Sequence, residues 1–152
     1  MIEQKPAAKT AQTYRLRTAL LSAGRTHRIL AATKSEGHGM NVAIKCYAEG
    51  GENEFHTHAH EDHTFVVLQG RAVFHQPDAP DQELERNGGI LIPAGALYKF
   101  EAVPGEPLVL LRVGNSSAPV DDRIGATGAP LPGNSIENKH VDGVPIEGAF
   151  YQ

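Results

Sequence analysis

Apolar and polar residues alternate over short stretches of this chain, and Gly, Pro and Asn punctuate the gaps between them. Met40–Tyr47 sets Val42, Ile44 and Cys46 against Asn41, Ala43, Lys45 and Tyr47, a period of two that predicts a strand with two unlike faces. Tyr14–Leu21 and Arg28–Thr33 read as strands on either side of Ser22-Ala23-Gly24, although Leu16–Leu21 fits a helical turn equally well. Gly37-His38-Gly39 marks a turn. Thr64–Leu68, a break at Gln69-Gly70 and then Arg71–His75 predict a hairpin. Pro77 to Pro80 reads as a loop, and Glu83–Arg86 as a short strand into the turn Asn87-Gly88-Gly89. Ile90-Leu91-Ile92 reads as a buried strand stopped by Pro93-Ala94-Gly95. Leu97–Ala102 and Leu108–Val113 are expected to pair across Pro104-Gly105. Eight to ten short strands with turns between them predict an all-β sandwich or barrel.

The ends differ from the middle. Residues 1–13 are polar and read as a disordered lead-in. Residues 115–152 are rich in Gly and Pro with little periodicity, and read as an extended arm with a terminal strand at Gly148–Tyr151. The arm's scattered apolar residues (Ile124, Leu131, Ile136, Val141, Val144, Ile146, Phe150) imply that it packs on the barrel or on a partner. The barrel itself is expected over residues 14–114.

Composition narrows the function classes. A chain of 152 residues is one domain by length, long enough for a proper core. No apolar run approaches a membrane span, and the first residues lack the apolar stretch of a secretory signal. A single cysteine, Cys46, excludes an internal disulfide framework and fits a cytoplasmic protein; its own reading is a small buried hydrophobe. A formal charge of −4 without a Lys/Arg cluster gives no footprint for nucleic acid. Gly50-Gly51 lacks the Lys and the spacing of a phosphate-cradling loop.

The chemistry concentrates in His56-Thr57-His58-Ala59-His60-Glu61-Asp62-His63, which holds four of the eight histidines. A helix would put His56, His60 and His63 on one face. The flanks favour strands instead, with Gly50-Gly51 before the octet and the β-branched, aromatic Phe65-Val66-Val67-Leu68 after it. On a strand His56 and His58 leave the same face and can close on one ion, whose nitrogen ligands stand about 2.0–2.1 Å away. His60, Glu61 and Asp62 then form a solvated bend, from which His60 or Glu61 could swing in toward the ion, and His63 opens the next strand facing back toward the pair. The helical His-Glu-x-x-His of zinc proteases is excluded, because His60-Glu61-Asp62-His63 is one residue too short. The remaining histidines, His27, His38, His75 and His140, read as surface residues.

These residues resemble the cupin superfamily. Its first motif runs Gly, five residues, His-x-His, four residues, an acidic ligand, six residues, Gly; here Gly50, His56-x-His58, His63 and Gly70 keep every spacing, with His63 in the acidic slot. The second motif runs Gly, five residues, Pro-x-Gly, two residues, His, three residues, Asn. Here Asn87, Pro93-x-Gly95, Tyr98 and Ala102 fill those places. The resemblance covers residues 40–113. It implies a single-domain, jelly-roll-like antiparallel β-barrel holding one divalent transition metal (Fe, Mn, Ni, Cu or Zn). His56, His58 and His63 are the implied ligands.

Three neutral histidines leave the ion's charge uncompensated, which favours an anionic or chelating oxygen ligand such as a carboxylate or enolate. Tyr98 replaces the usual histidine of the second motif. A phenol with a pKa near 10 acts as a proton donor to bound substrate or water more readily than as a ligand. Phe65, Val67 and Phe100 share parity with His63 or Tyr98, and are expected either to line the pocket or simply to pack the core. The implied activity on a small molecule is of dioxygenase type, or of Lewis-acid isomerase, lyase or decarboxylase type. The alternatives are a ligand-binding or sensing cupin without turnover and a metal-free interaction barrel. Exposed barrel edges and the 38-residue arm imply a homodimer.

Overall fold

The computed structural model describes residues 10–33, 39–51, 54–117, 123–128 and 142–152. Expectations that fall on residues 1–9, on Gly37-His38, and on Leu131, Ile136, His140 and Val141 lie outside these residues. In chain order the strands are β1 (Thr18–Ala23), β2 (Arg25–Ala32), β3 (Gly39–Tyr47), β4 (His56–His58), β5 (Glu61–Gln69) and β6 (Ala72–Gln76). They continue with β7 (Ala79–Leu84), β8 (Gly89–Ile92), β9 (Lys99–Ala102), β10 (Leu108–Ser116), β11 (Arg123–Gly125) and β12 (Val144–Tyr151). The fold is all-β, of the jelly-roll type. Leu16–Leu21 resolves as extended chain entering β1, and among the described residues there is no helix long and apolar enough to cross a membrane.

Three layers are stacked. A five-stranded antiparallel sheet in the order β2-β3-β10-β5-β8 faces a three-stranded sheet, β7-β6-β9. The bridges Gly51↔Glu101 and His56↔Tyr98 carry the smaller sheet on to β4, which pairs with β11. Between the two sheets lie Phe65 and Val67 of β5, Leu108 and Leu110 of β10, Phe74 of β6 and Phe100 of β9, all buried. The third layer is the β1–β12 ribbon, which covers the outer face of the large sheet over Leu21, Ile44, Cys46, Leu68 and Val109.

That third layer explains β3. Ile44 and Cys46 face the ribbon, so both faces of this part of the strand are covered, and Ala43, Lys45 and Tyr47 turn into the lumen between the sheets. Lys45 is buried there with Nζ 5.7–6.0 Å from the ring centres of Tyr47, Phe65 and Phe100, positions at which a cation is attracted by each ring face. Cys46 is buried as expected, and burial pushes its thiol up to about 11.

Two pairing expectations and one loop are corrected. Thr64–Leu68 and Arg71–His75 form no hairpin. β5 is flanked by β10 and β8, while β6 pairs with β7 and β9, so the chain passes from one sheet to the other at Gly70. Gly70 is left-handed (φ 77°), and a Cβ there would come 2.9 Å from the Pro107 carbonyl. The hairpin is β6–β7, turning at Pro77-Asp78, so Pro80 lies in a strand and not in a loop; β7 is an edge, where the missing N–H is tolerated. Leu97–Ala102 and Leu108–Val113 likewise part company, with β9 on β6 and β10 between β3 and β5. Ile90-Leu91-Ile92 is an edge strand and only half covered: Ile92 is buried and Leu91 is 69% exposed. The count reaches twelve because the arm supplies β11 and β12. β12 also starts earlier than the expected Gly148 and pairs with β1 of its own chain.

The outer face of the small sheet carries a charged lock. His75 on β6 reaches Asp81 Oδ1 at 2.9 Å through Nδ1 and Glu101 Oε1 at 3.0 Å through Nε2. Asp81 foremost, and then Glu101, raise the His75 pKa above 6.5. A raised folded-state pKa contributes stability that is fully present below 6.5 and is lost as pH rises through the folded value. His75→Gln should therefore cost a few tenths of a kcal/mol at pH 5.5 and nothing at pH 9, since both carboxylates are well exposed and screened. Equal losses in denaturant melts at the two pH values would show that the ion pairs contribute nothing.

Candidate metal centre

β4 is only three residues long, yet it is held on every side. The His56 and Tyr98 backbones exchange two hydrogen bonds of 3.1 Å each. The Gly95 N–H donates to the His58 carbonyl at 3.0 Å, and the Ala94 N–H donates to Asp62 Oδ1 at 2.8 Å. The Pro93-Ala94-Gly95 turn is thus fastened to the strand that carries the histidines. Asn87, which stands in the glycine slot of the second motif, keeps the left-handed backbone a glycine would have (φ 71°), as asparagine can.

His56 and His58 leave the same face of β4 and are both buried, with ring centres 5.2 Å apart. His56 Nδ1 lies 3.0 Å from the Glu54 carbonyl and donates to it, which leaves the Nε2 lone pair for another partner. His63, 1% exposed, faces back with its ring 4.2 Å from that of His58. Burial pushes its imidazole below the usual histidine range, and Glu61 offsets part of that effect. A metal ligand must be neutral imidazole, and His63 is placed to be one.

Glu61 is not in a solvated bend. β5 begins at Glu61, so Glu61 and His63 are two apart on one strand and share a face; Glu61 is 6% exposed and points inward. His60 is exposed in the turn, where its carbonyl accepts from the Ser117 N–H at 2.8 Å. The ligand atoms of His58, Glu61 and His63 all lie within 4.8 Å of one another. Glu61 Oε1 stands 3.1 Å from His63 Nε2, yet both ring nitrogens of His63 are buried without an aligned hydrogen bond. Two donor atoms at this separation without hydrogen-bond alignment match one edge of a coordination polyhedron, where ligands about 2.0–2.2 Å from an ion stand roughly 3.0–3.5 Å apart. The donor set therefore fits a metal ion.

Of the residues singled out in the sequence, His58 and His63 come together with Glu61, while His56 stands outside that close group and packs between His58 and Tyr98. Tyr98 is 2% exposed, its ring 4.5 Å from His56 and stacked toward Phe74 at 6.4 Å. Phe65, Val67 and Phe100 are fully buried in the core between the two sheets, and the Phe65 ring lies 6.0 Å from that of His63. The sequence places Glu61 in the bend first and at the site only as the alternative; its parity with His63 was the signal for the alternative. Sequence reasoning missed Asn41, Lys45 and Arg112, whose lumen-facing side chains became recognisable only once the register between β3, β10 and β5 was known.

The cupin domain family matches residues 43–114. No curated protein matches the chain. Among solved structures, a chain from the crystal structures of the DMSP lyases RdDddP and RnDddQII is 25% identical with a TM-score of 0.50, over 57% of this chain and 44% of that one. The DMSP lyase DddQ from Ruegeria pomeroyi is similar in fold, with 15% identity and a TM-score of 0.55 over 69% of this chain and 53% of that one. So is a Klebsiella pneumoniae protein with a double-stranded beta-helix domain, at 18% identity and a TM-score of 0.55 over 68% and 80% of the two chains. This chain spans about half the length of the two lyase chains. The jelly-roll fold, the buried histidines and the family match agree, and residues 43–114 form a cupin domain.

Proposed function

We propose that the lumen holds one divalent transition metal through His58, His63 and Glu61, with His56 beside them, and that the protein is a lyase or isomerase for a small carboxylate-bearing molecule. The observation that supports the metal is the clustering of His58, Glu61 and His63, all buried, with ligand atoms within 4.8 Å of one another. When bound, the ion supplies Lewis acidity toward an oxygen of the substrate. The chain's own residues supply the rest. Lys45 and Arg112 face the lumen against Glu61, so the interior favours an anion. Tyr98, held by its backbone to His56, is the proton donor. Phe65, Val67 and Phe100 exclude water from the core beside His63, which strengthens the electrostatic contacts there. The resemblance to the DMSP lyase structures at 25% identity supports the lyase branch.

A second reading, a ligand-binding cupin without turnover, draws on the burial of His56, His63 and Tyr98, each at most 2% exposed. Elemental analysis of protein purified without chelator tests the shared premise. About one transition-metal ion per chain is expected, and His60→Ala should keep it because that side chain points to solvent. Wild-type protein with no bound ion, and with none taken up from Zn(II), Co(II) or Fe(II), would overturn both readings.

A further inference from the structure

Glu61 is held in place from across the sheet. The Arg112 Nη2 donates to Asn41 Oδ1 at 2.8 Å, and Asn41 Nδ2 donates to Glu61 Oε1 at 3.0 Å. The orientation of the amide follows from chemistry: a guanidinium only donates and a carboxylate only accepts, so the Asn41 oxygen must face Arg112 and its NH₂ must face Glu61. Asn41 lies on β3 and Glu61 on β5, with β10 between them, so this contact spans two strand spacings, roughly 9.5 Å. It can do so because the β10 residue paired with both Asn41 and His63 is Gly114. A Cβ at 114 would overlap Glu61 Oε1 and stand 3.0 Å from Asn41 Nδ2. Gly114 is not in the left-handed region, so the glycine is required for space and not for backbone conformation.

We propose that Asn41, backed by Arg112 over Gly114, is the positioning residue that holds Glu61 in place as the carboxylate ligand beside His63. The inference rests on the metal reading above, which includes Glu61, and adds to it the residue that positions that ligand. Glu61 alone is a flexible side chain at the start of a strand. Pinned at Oε1, it keeps its remaining lone pairs directed beside His63 Nε2. Outer partners of metal ligands act in this way, and their loss weakens metal affinity by about 10–100-fold.

The test uses the full chain and Co(II), with affinity measured by competition against a chromophoric chelator and coordination read from the visible spectrum. Asn41→Ala should weaken Co(II) binding by about 10–100-fold, and Glu61→Gln by at least as much. The double variant should bind no more weakly than Glu61→Gln alone, because Asn41 acts only through Glu61. Both single variants should shift the Co(II) spectrum in the same direction. Gly114→Ala, which leaves Asn41 and Arg112 intact, should reproduce the loss, and it carries the test if Asn41→Ala fails to fold. Wild-type affinity in Glu61→Gln, or losses that multiply in the double variant, would overturn the inference while leaving a three-histidine site standing. Wild-type protein that binds no Co(II) would overturn the metal reading with it.

Discussion

His63→Ala is expected to weaken metal binding on the order of 10²–10³-fold, against less than twofold for His60→Ala. Structural zinc sites with four ligands bind with roughly 10–16 kcal/mol, so one ligand is worth about 3–4 kcal/mol. His63 is the natural choice for removal, because it sits between the other donors: His58 is 4.2 Å away ring to ring and Glu61 Oε1 is 3.1 Å from its Nε2. Its loss also leaves the buried Glu61 carboxylate without the ion that would compensate its charge. Thermal melts give a second readout. An ion at about a hundred times its Kd stabilises the wild type by about 2.7 kcal/mol, and the variant should show almost none of that gain at the same concentration. A His63→Ala protein that melts and binds like wild type would place the ion elsewhere.

Tyr98→Phe should keep its metal and lose turnover of a small carboxylate substrate by about 10²–10⁴-fold, the range for a missing general acid. The ring of this variant keeps its packing against His56, Phe65 and Phe74. If Tyr98 were instead a phenolate ligand, wild-type protein loaded with Fe(III) or Cu(II) would show a visible charge-transfer band, and Tyr98→Phe would lose both the band and the ion. Holding the phenol ionised at pH 7 would require about three pKa units of stabilisation, roughly 4 kcal/mol, and a water can occupy a metal vertex without that cost. A variant that retains both metal and full turnover would assign Tyr98 to packing alone.

Local pattern was enough for part of this protein. The His-x-His strand, the inward face of His63, the Pro-x-Gly turn and the cupin resemblance all follow from spacing, because strand parity has a period of two and needs no knowledge of neighbours. Asn87 in a glycine slot was also sufficient, since asparagine tolerates the left-handed turn found there. Other features depend on which strands meet. Gln69-Gly70 looks like a hairpin turn, but β5 already has β10 and β8 as partners, so the chain must cross to the other sheet. Parity separated Val42, Ile44 and Cys46 from Ala43, Lys45 and Tyr47, but which set faces the lumen was decided by the β1–β12 ribbon covering Ile44 and Cys46. Glu61 sits in a run of polar residues that locally resembles a bend. It is drawn into the fold by an amide twenty residues earlier in sequence, across a glycine fifty-three residues later. A buried carboxylate is stable only when such partners surround it, and long-range register, which no local pattern encodes, is what brings them together.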